Sequence, residues 1–395
     1  MATTSVSMID PFSREFLTDP YPFHEQLRAA GPVVRLDRYD VWAMARYEEV
    51  RAGLMDWETF CSAAGVGLSD FRKEMPWRPP SIILEADPPL HTRTRAVLTR
   101  ILSAAAMKKL WTTFERDAVE LVDRLVEREA FDGIRDVAEV YPLKVFPDAV
   151  GLAEEGRENL LPYGNMAFNA FGPRNELFDQ AMANAQPVVS WIGSKCQRSA
   201  LAPDGLGTQI YAAVDAGQLT ESEAGLLVRS FLTAGLDTTV VGLGNALFCF
   251  AQHPEEWRRL REDPSRARAA FDEVLRYESP VQTFFRTTTR PVEVSGGALG
   301  EGEKVLLFLA AANRDARRWE HPERFDITRR ASGHLAFGMG IHGCVGMAVA
   351  RLEAEILLPL LASRVATIEL DGEPVRRLNN TLRGLARLPL RIRRG

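Results

Sequence analysis

One short segment constrains this chain more than any other part of its sequence. Between Phe337 and Gly346, four glycines surround a single cysteine, Cys344, and a helical pattern begins directly afterwards. Glycine permits positive φ angles and lets the backbone approach a flat group closely. A cysteine just before a helix lies near free backbone N–H groups, in a potential that favours a thiolate. The segment therefore suits an anionic sulfur held against a flat ligand. The simpler interpretation is a glycine-rich loop with a buried cysteine.

The other three cysteines do not indicate a metal centre of their own. Cys61, Cys196 and Cys249 are far from one another and from Cys344, whereas zinc and iron–sulfur sites show at least one short cysteine spacing. The N-terminal region lacks the basic and apolar pattern of an export signal, so disulfides are not expected. Each of the three is predicted to be a small buried hydrophobe.

The distribution of apolar residues predicts a mainly α-helical chain with a smaller β-rich portion. Helical spacing dominates about 90–290 and 345–363, and β-rich stretches are predicted at about 31–46, 291–333 and 365–394. We find no internal repeat, low-complexity segment or linker. Although 395 residues could make two domains, we expect one domain over 1–395.

Charge and hydropathy exclude several classes of protein. The net charge of −5 does not favour a general nucleic-acid binder. No uninterrupted apolar run of about 18 residues predicts a membrane span. We therefore expect a cytoplasmic protein, active as a monomer, with no nucleic-acid or membrane partner.

A long helix is predicted from about Thr220 to Gln252. Thr220 and Glu223 have the spacing of a capping box, and a helix of this length reaches ~50 Å, enough to cross the molecule. Its middle contains Ala-Gly-Leu-Asp-Thr-Thr at 234–239, a cluster of poor helix formers that bends or opens a helix. On its own this cluster indicates no more than a polar notch.

A second motif, Glu273 with Arg276, has the spacing of an ion pair on one helix face. Two other pairs, Glu255 with Arg258 and Glu256 with Arg259, match it equally well. The motif alone therefore does not separate a structural pair from a surface pair.

Taken together, these segments resemble the cytochrome P450 superfamily, with its motifs in the expected order along essentially the whole chain. The resemblance implies that Cys344 is the thiolate ligand of a haem b iron, lying between the long central helix and the cysteine loop with its helix. It implies that Asp237 relays protons and that Thr238 hydrogen-bonds the bound oxygen. The segment Pro-Glu-Arg-Phe at 322–325 matches the meander of that family. Glu273, Arg276 and Arg324 would accordingly form a buried triad that braces the cysteine loop.

The same resemblance predicts which cations bind the haem propionates. His91 and Arg95 are four residues apart and share a helix face. Arg286 follows the Glu273 helix, and His342 lies in the cysteine loop, where the family more often has another basic residue. The alternative for each is an ordinary surface charge.

Further segments, including 65–89, 168–173 and 281–290, resemble the bacterial members of the family that oxidise para-substituted benzoates. Ser230, Ala234 and Thr238 lie on one face of the central helix, which places Ser230 ~11–12 Å along the axis from Thr238. Arginine with hydroxyl donors suits a carboxylate. The predicted substrate-binding residues are Arg78, Ser81, Arg229 and Ser230 for the carboxylate, and Ile83, Leu84, Phe168, Phe171, Ala234, Val281 and Phe284 for the ring.

The predicted reaction is hydroxylation or O-demethylation of a small aromatic acid such as 4-methoxybenzoate, using O2. Electrons would come from a ferredoxin and its NAD(P)H-dependent reductase, because the chain has no flavin or iron–sulfur motif. A basic patch of Arg93, Arg100, Lys108 and Lys109 is a candidate docking surface. The alternatives are another small apolar substrate (a terpenoid or a fatty acid), a peroxide-driven enzyme, which usually lacks the acid–alcohol pair, and a haem-based gas sensor, for which no output domain is found.

Overall fold

The computed structural model describes residues 5–395. Its α-helices, numbered α1 to α16 in chain order, span Arg14–Thr18, Tyr21–Ala30, Tyr47–Met55, Leu90–Ile101, Ala104–Leu125, Val140–Val150, Leu160–Asn169, Glu176–Met182, Ala185–Lys195, Leu206–Asp215, Glu221–Ala234, Asp237–Gln252, Pro254–Glu262, Ala267–Glu278, Leu309–Ala312 and Met347–Arg364. Its strands, β1 to β13, span Ser5–Ser7, Val34–Leu36, Val41–Met44, Phe60–Cys61, Ala130–Asp132, Thr283–Thr288, Val292–Val294, Gly297–Leu299, Lys304–Phe308, Val365–Leu370, Val375–Arg377, Gly384–Arg387 and Pro389–Arg394.

The described strands form one large sheet and three small ones. The large sheet has the order β1-β2-β3-β9-β6-β4, and the others are β10-β13-β5, β11-β12 and β7-β8. The predicted mainly helical fold with a smaller β portion is confirmed, as are the strands within 31–46 and 365–394.

Two boundaries of the prediction are wrong. Strand β6 lies inside the stretch predicted as helical. It was missed because its side chains are mostly buried on both faces, so no alternation of polar and apolar residues marks it as a strand. The β-rich stretch predicted to reach 333 has its last strand, β9, ending at Phe308, and the remainder is a short helix followed by irregular loops.

The central helix forms as predicted, and it opens at the notch. Thr220 caps α11 in a complete capping box with Glu223. Helix α11 ends at Ala234 and α12 begins at Asp237, because the hydroxyl of Thr238 donates to the carbonyl of Ala234 (2.8 Å) and competes with the helical ladder. The notch therefore lies where the two helical segments meet.

By length and composition alone, Glu221–Gln252 could also cross a membrane, since its most apolar window has a mean hydropathy of 1.4. However, 61% of that window is buried inside the fold. Burial on this scale is typical of the core helix of a globular protein.

The loop between β4 and α4, residues 62–89, packs onto the rest of the protein. Trp77, Ile82 and Ile83 contact the largest hydrophobic core. The carboxylate of Asp87 accepts the backbone N–H groups of Ser62 and Ala63 (2.9–3.2 Å). The loop therefore packs against the core, and it forms one wall of the site described next.

Candidate active site

A large internal cavity lies between the helix notch and the cysteine loop. It encloses about 1700 Å³ not filled by protein atoms, part of it open to solvent. Cys344 and Thr238 both line it.

The backbone of the cysteine loop is shaped by glycines. Gly338 and Gly340 have φ angles of 66° and 69°, values that other residues rarely adopt. A Cβ at Gly340 would also lie 2.7 Å from the carbonyl oxygen of Leu54. The N–H of Cys344 donates to the carbonyl of Phe337 (2.7 Å), which closes the loop and points its end at the start of α16.

The sulfur of Cys344 lies in a mixed electrostatic environment. Burial raises the pKa of the Cys344 thiol, while the N–H groups of Gly346 and Met347 and the guanidinium of Arg95 act in the opposite direction. The two N–H groups belong to the backbone at the N-terminus of α16 and stay in place if the sulfur becomes a thiolate.

A buried ion pair braces the segment that precedes the loop. Glu273 and Arg276 are fully buried and share two hydrogen bonds of 2.7 and 2.8 Å. Arg276 also donates to the carbonyl of Asn313 (3.0 Å), whose side chain accepts the N–H of Leu335 (2.7 Å). The pair is thus linked to the start of the cysteine loop.

The third member of this brace is not the predicted one. The side chain of Arg324 is exposed, and only its carbonyl takes part, accepting from Arg276 (3.1 Å). The guanidinium of Arg329 instead contacts Glu273 (3.2 Å). The prediction of Arg324 is therefore wrong. The chain turns at His321, where φ is positive, so that Arg324 points outwards and Arg329 lies against the buried carboxylate of Glu273.

The four predicted propionate-binding residues converge at one edge of the cavity. Arg95, Arg286 and His342 line it, and the rings of His91 and His342 are 4.4 Å apart. Nε2 of His91 and Nδ1 of His342 are buried and have no partner among the described residues. Buried polar atoms normally have partners, so this edge suits an additional acceptor group.

Arg286 strengthens this fit. Only 3% of the residue is exposed, its guanidinium donates to the carbonyl of Phe285 (2.8 Å), and burial lowers its pKa to about 10. The carboxylate of Asp87 opposes this shift, and a further anion at this edge would also compensate the buried guanidinium. No group of three or more metal-ligating side chains occurs among residues 5–395. One thiolate beside a set of cations therefore fits a haem, which brings its own four nitrogens and two carboxylates.

The acid and the alcohol at the notch face different surroundings. Thr238 lines the cavity. Asp237 is buried, with 1% of its surface exposed, and its Oδ1 accepts from Arg377 on β11 (2.6 Å). Its Oδ2 has no partner among the described residues. Because 24% of the Arg377 side chain is exposed, the pair connects the buried acid with the protein surface.

The opposite end of the cavity carries the polar residues predicted for a carboxylate. Ser81 and Ser230 are in contact through their hydroxyls (3.1 Å). Arg229 donates to the carbonyls of Pro79 (2.7 Å) and Pro80 (3.2 Å). Burial lowers the pKa of Arg229, and the neighbouring Arg78 lowers it further. The interpretation of these arginines as surface charges is therefore wrong.

One partner at this end was not predicted. Glu85 forms an ion pair with Arg78 (3.1 Å) and accepts the N–H of Ser81 (2.6 Å). The two arginines and Glu85 together leave one net positive charge. The Nε of Arg78 remains buried without a partner among the described residues.

Apolar side chains connect the two ends. Phe171 makes edge-to-face contacts with Phe168 (5.8 Å between ring centroids) and Phe284 (5.7 Å). The eleven residues predicted to bind substrate all line this one cavity: Arg78, Ser81, Ile83, Leu84, Phe168, Phe171, Arg229, Ser230, Ala234, Val281 and Phe284.

Sequence reasoning missed several residues of the site. Glu85 and Asp87 lie within three residues of the apolar run 82–84, and acids in that position could have signalled buried partners. Arg329 and Arg377 gave no local signal, because their partners are distant in sequence. Several apolar lining residues, among them Leu98, Phe146 and Phe231, follow ordinary helical spacing and look like any core residue.

Comparisons with known proteins agree with this geometry. A sequence model of the cytochrome P450 family matches residues 204–393. The chain is 59% identical over 385 residues to cytochrome P450 CYP199A2 of Rhodopseudomonas palustris, covering 97% of this chain and 93% of that protein. It is 33% identical to cytochrome P450 107B1 of Saccharopolyspora erythraea over 99% of both chains.

Solved structures give the same result. CYP109Q5 from Chondromyces apiculatus superposes with a TM-score of 0.83 at 31% identity, over 98% of both chains. Cytochrome P450 CREJ, solved in complex with (4-ethylphenyl) dihydrogen phosphate, superposes with a TM-score of 0.85 at 26% identity, over 97% of this chain and 99% of that one. This chain therefore belongs to the cytochrome P450 family of monooxygenases, whose members bind haem through a cysteine thiolate.

Proposed function

We propose that this monooxygenase oxidises the para substituent of a small aromatic carboxylic acid, by C–H hydroxylation or O-demethylation. Cys344 provides the thiolate ligand, and His91, Arg95, Arg286 and His342 bind the propionates. When bound, the haem supplies the activation of O2. The protein's own part is to orient the acid, exclude water and deliver protons.

Proton delivery is assigned to the notch. Thr238 holds its hydroxyl at the cavity surface, and Asp237 lies beside it with one free carboxylate oxygen. Arg377 binds the other oxygen and reaches towards solvent. A proton taken up at Asp237 can pass to the Thr238 side of the cavity, which is the role expected of a positioned general acid.

The observation that carries the substrate proposal is the polarity of the cavity. Its wall is mostly apolar. Beyond the edge assigned to the propionates, its polar residues lie around Arg229 and Ser230, where Arg78, Arg229 and Glu85 leave a net positive charge and two hydroxyls are in contact. An apolar pocket with a few fixed polar groups sets both the orientation and the specificity of its ligand. An acid held at this end presents the opposite end of its ring towards Thr238 and Cys344.

One related protein supports this substrate class. The ligand of cytochrome P450 CREJ, (4-ethylphenyl) dihydrogen phosphate, is also a benzene ring with an acidic group opposite a small alkyl substituent. A neutral terpenoid would leave the positive end of the present cavity without a counter-charge, which is costly in a buried site.

Spectral titration of the haem tests the proposal. We expect 4-methoxybenzoate to perturb the haem spectrum at much lower concentration than its methyl ester, which has the same ring and substituent but no charge. Charge-assisted hydrogen bonds are worth ~1.5–3 kcal/mol each, so the two affinities should differ at least about tenfold. Equal affinities would show that the carboxylate is not recognised. Tighter binding of a terpenoid or a long-chain fatty acid would replace the aromatic acid as the proposed substrate.

We further propose that a ferredoxin supplies the electrons, in the cytoplasm, where reduced ferredoxins and NAD(P)H are available. Lys108 lines a surface depression with Trp111, Arg268 and Arg351, next to the start of α16. Arg93, by contrast, is paired with Glu223, and Arg100 is bonded to the side chain of Gln218. The proposed docking surface is therefore reduced to the part of the predicted patch around Lys108 and Lys109, without Arg93 and Arg100.

The double change Lys108→Gln with Lys109→Gln tests this surface. We expect slower reduction by the ferredoxin and a weaker dependence of that rate on ionic strength. Lys73→Gln, an exposed lysine outside the depression, is the control. Unchanged rates in the double variant would exclude this surface, and full turnover with peroxide alone would exclude the ferredoxin.

A further inference from the structure

A second buried cation, Lys304, lies on β9, which pairs with the strand that carries Arg286. It begins β9 and is 8% exposed. Its ammonium donates to three backbone carbonyls of one loop, those of Ala64 (3.1 Å), Gly65 (2.9 Å) and Gly67 (3.0 Å). An ammonium has three N–H donors, so this cage uses all of them.

The ammonium has no carboxylate partner among the described residues. Asp70 is near, but both of its oxygens are bound by Arg72 (2.9 and 2.7 Å). Burial lowers the pKa of Lys304 to about 8, and the charged or titratable groups that face it are Asp70, Cys61, Arg72 and Arg286. Carbonyl dipoles thus provide most of its compensation, as they would for a bound monovalent cation.

The caged loop touches the wall of the cavity. A Cβ at Gly67 would lie 2.8 Å from Cα of Phe171, so the loop packs directly on the backbone there. The N–H of Leu68 donates to the carbonyl of Phe171 (2.8 Å), and the N–H of Phe285 donates to the carbonyl of Val66 (2.9 Å). Movement of this loop would therefore displace Phe171 and the strand that carries Phe284.

We propose that Lys304 is a specificity-determining positioning residue, a built-in cation that fixes the loop at 64–67 and thereby the Phe171–Phe284 wall. Lys304 itself does not line the cavity or touch the substrate. The consequence for selectivity rests on the proposed substrate class, whereas the fixing of the loop does not.

The first test measures hydrogen exchange in the haem-loaded protein without substrate. Lys304→Met keeps the length of the side chain but provides no donor, and Lys304→Ala leaves a space lined by the three carbonyls. We expect both to speed amide exchange in 62–71 and at 168–173 by about tenfold or more. Potassium or ammonium ions should slow it again in Lys304→Ala, and have no effect on the native protein.

Two controls keep the result specific. Lys73→Ala removes an exposed lysine close to the same loop and should change nothing. Gly67→Ala pushes the loop off Phe171 without altering any charge, and should reproduce the exchange change even if the Lys304 variants do not fold.

The second test compares 4-methoxybenzoate with 3-methoxybenzoate. We expect the preference for the para isomer to fall by about tenfold in Lys304→Met and Gly67→Ala. Unchanged exchange in the two segments, or an equal increase in every segment of the protein, would overturn the role of Lys304. If the native protein binds neither acid but the Lys304 variants show the expected faster exchange, the proposed substrate is wrong and the positioning role of Lys304 is still supported.

Discussion

At the Cys344 end of the cavity the backbone does the positioning, whereas at the Arg229 end side chains do. The cysteine loop is shaped by positive φ angles at Gly338 and Gly340 and by a backbone hydrogen bond to Cys344. The Arg229 end is assembled from a long irregular loop and one helix face, held by Arg78, Glu85 and Arg229.

This difference predicts how substitutions at each end of the cavity affect the protein. Backbone geometry is fixed by glycines and by a brace behind the loop, so a single substitution there affects folding and haem binding together. Side chains on a loop can be exchanged one at a time, because loops tolerate variation better than the elements they connect. We therefore expect changes at the cysteine end to act on stability, and changes at the acid end to act on ligand affinity.

The largest effect is expected from Glu273→Ala. It leaves Arg276 fully buried without its carboxylate, which typically costs ~3–5 kcal/mol. Urea unfolding of the haem-loaded protein measures the loss. Glu255→Ala removes an exposed glutamate whose sequence spacing to Arg258 is the same but which lies near His253 in the structure, and it should change stability by less than about 0.5 kcal/mol. Similar losses in the two variants would mean that the brace has no special role.

The next effect concerns turnover rather than stability. Asp237→Asn keeps an acceptor for Arg377 but cannot carry a proton, so we expect turnover with reduced ferredoxin to fall by about a hundredfold. The affinity for 4-methoxybenzoate should stay unchanged, because Asp237 does not line the cavity. Normal turnover would show that protons reach the cavity by another route.

At the acid end, Arg229→Gln should weaken binding of 4-methoxybenzoate by about 10- to 100-fold and leave binding of the methyl ester unchanged. Stability should alter little. Arg229→Lys keeps the charge and should retain most of the affinity. If Arg229→Gln weakens both ligands equally, the residue supports the loop through Pro79 and Pro80 and does not bind the carboxylate.

The smallest effect is expected behind the cysteine end, at Glu353 on α16. Its carboxyl is fully buried, neither oxygen has a partner among the described residues, and burial raises its pKa well above the usual value. The folded state therefore holds a proton that the unfolded state releases above pH ~4.3, and stability falls as the pH rises towards the folded pKa.

Glu353→Gln removes this linkage. We expect it to stabilise the protein by about 1–2 kcal/mol at pH 8 and by less at pH 5, as measured by urea unfolding at both values. An equal effect at the two pH values would show that Glu353 does not titrate differently in the folded state.

The sequence by itself determined the parts of the site that depend on neighbouring residues. The glycines around Cys344, the capping box at Thr220 and the notch before Asp237 are local, and the structure contains each of them as predicted. The predicted lining residues also meet in one cavity. This could be predicted because most of them lie on segments that resemble a known family.

Only the tertiary structure decided which charges meet. Arg329 rather than Arg324 reaches Glu273, Arg377 binds Asp237 across 140 positions of the chain, and Lys304 reaches a loop about 240 positions earlier. No local pattern marks these partners, since a buried charge is compensated by whatever group the fold brings within a few ångströms. Strand β6 was missed for a related reason, because burial on both faces removes the alternation by which a strand is recognised.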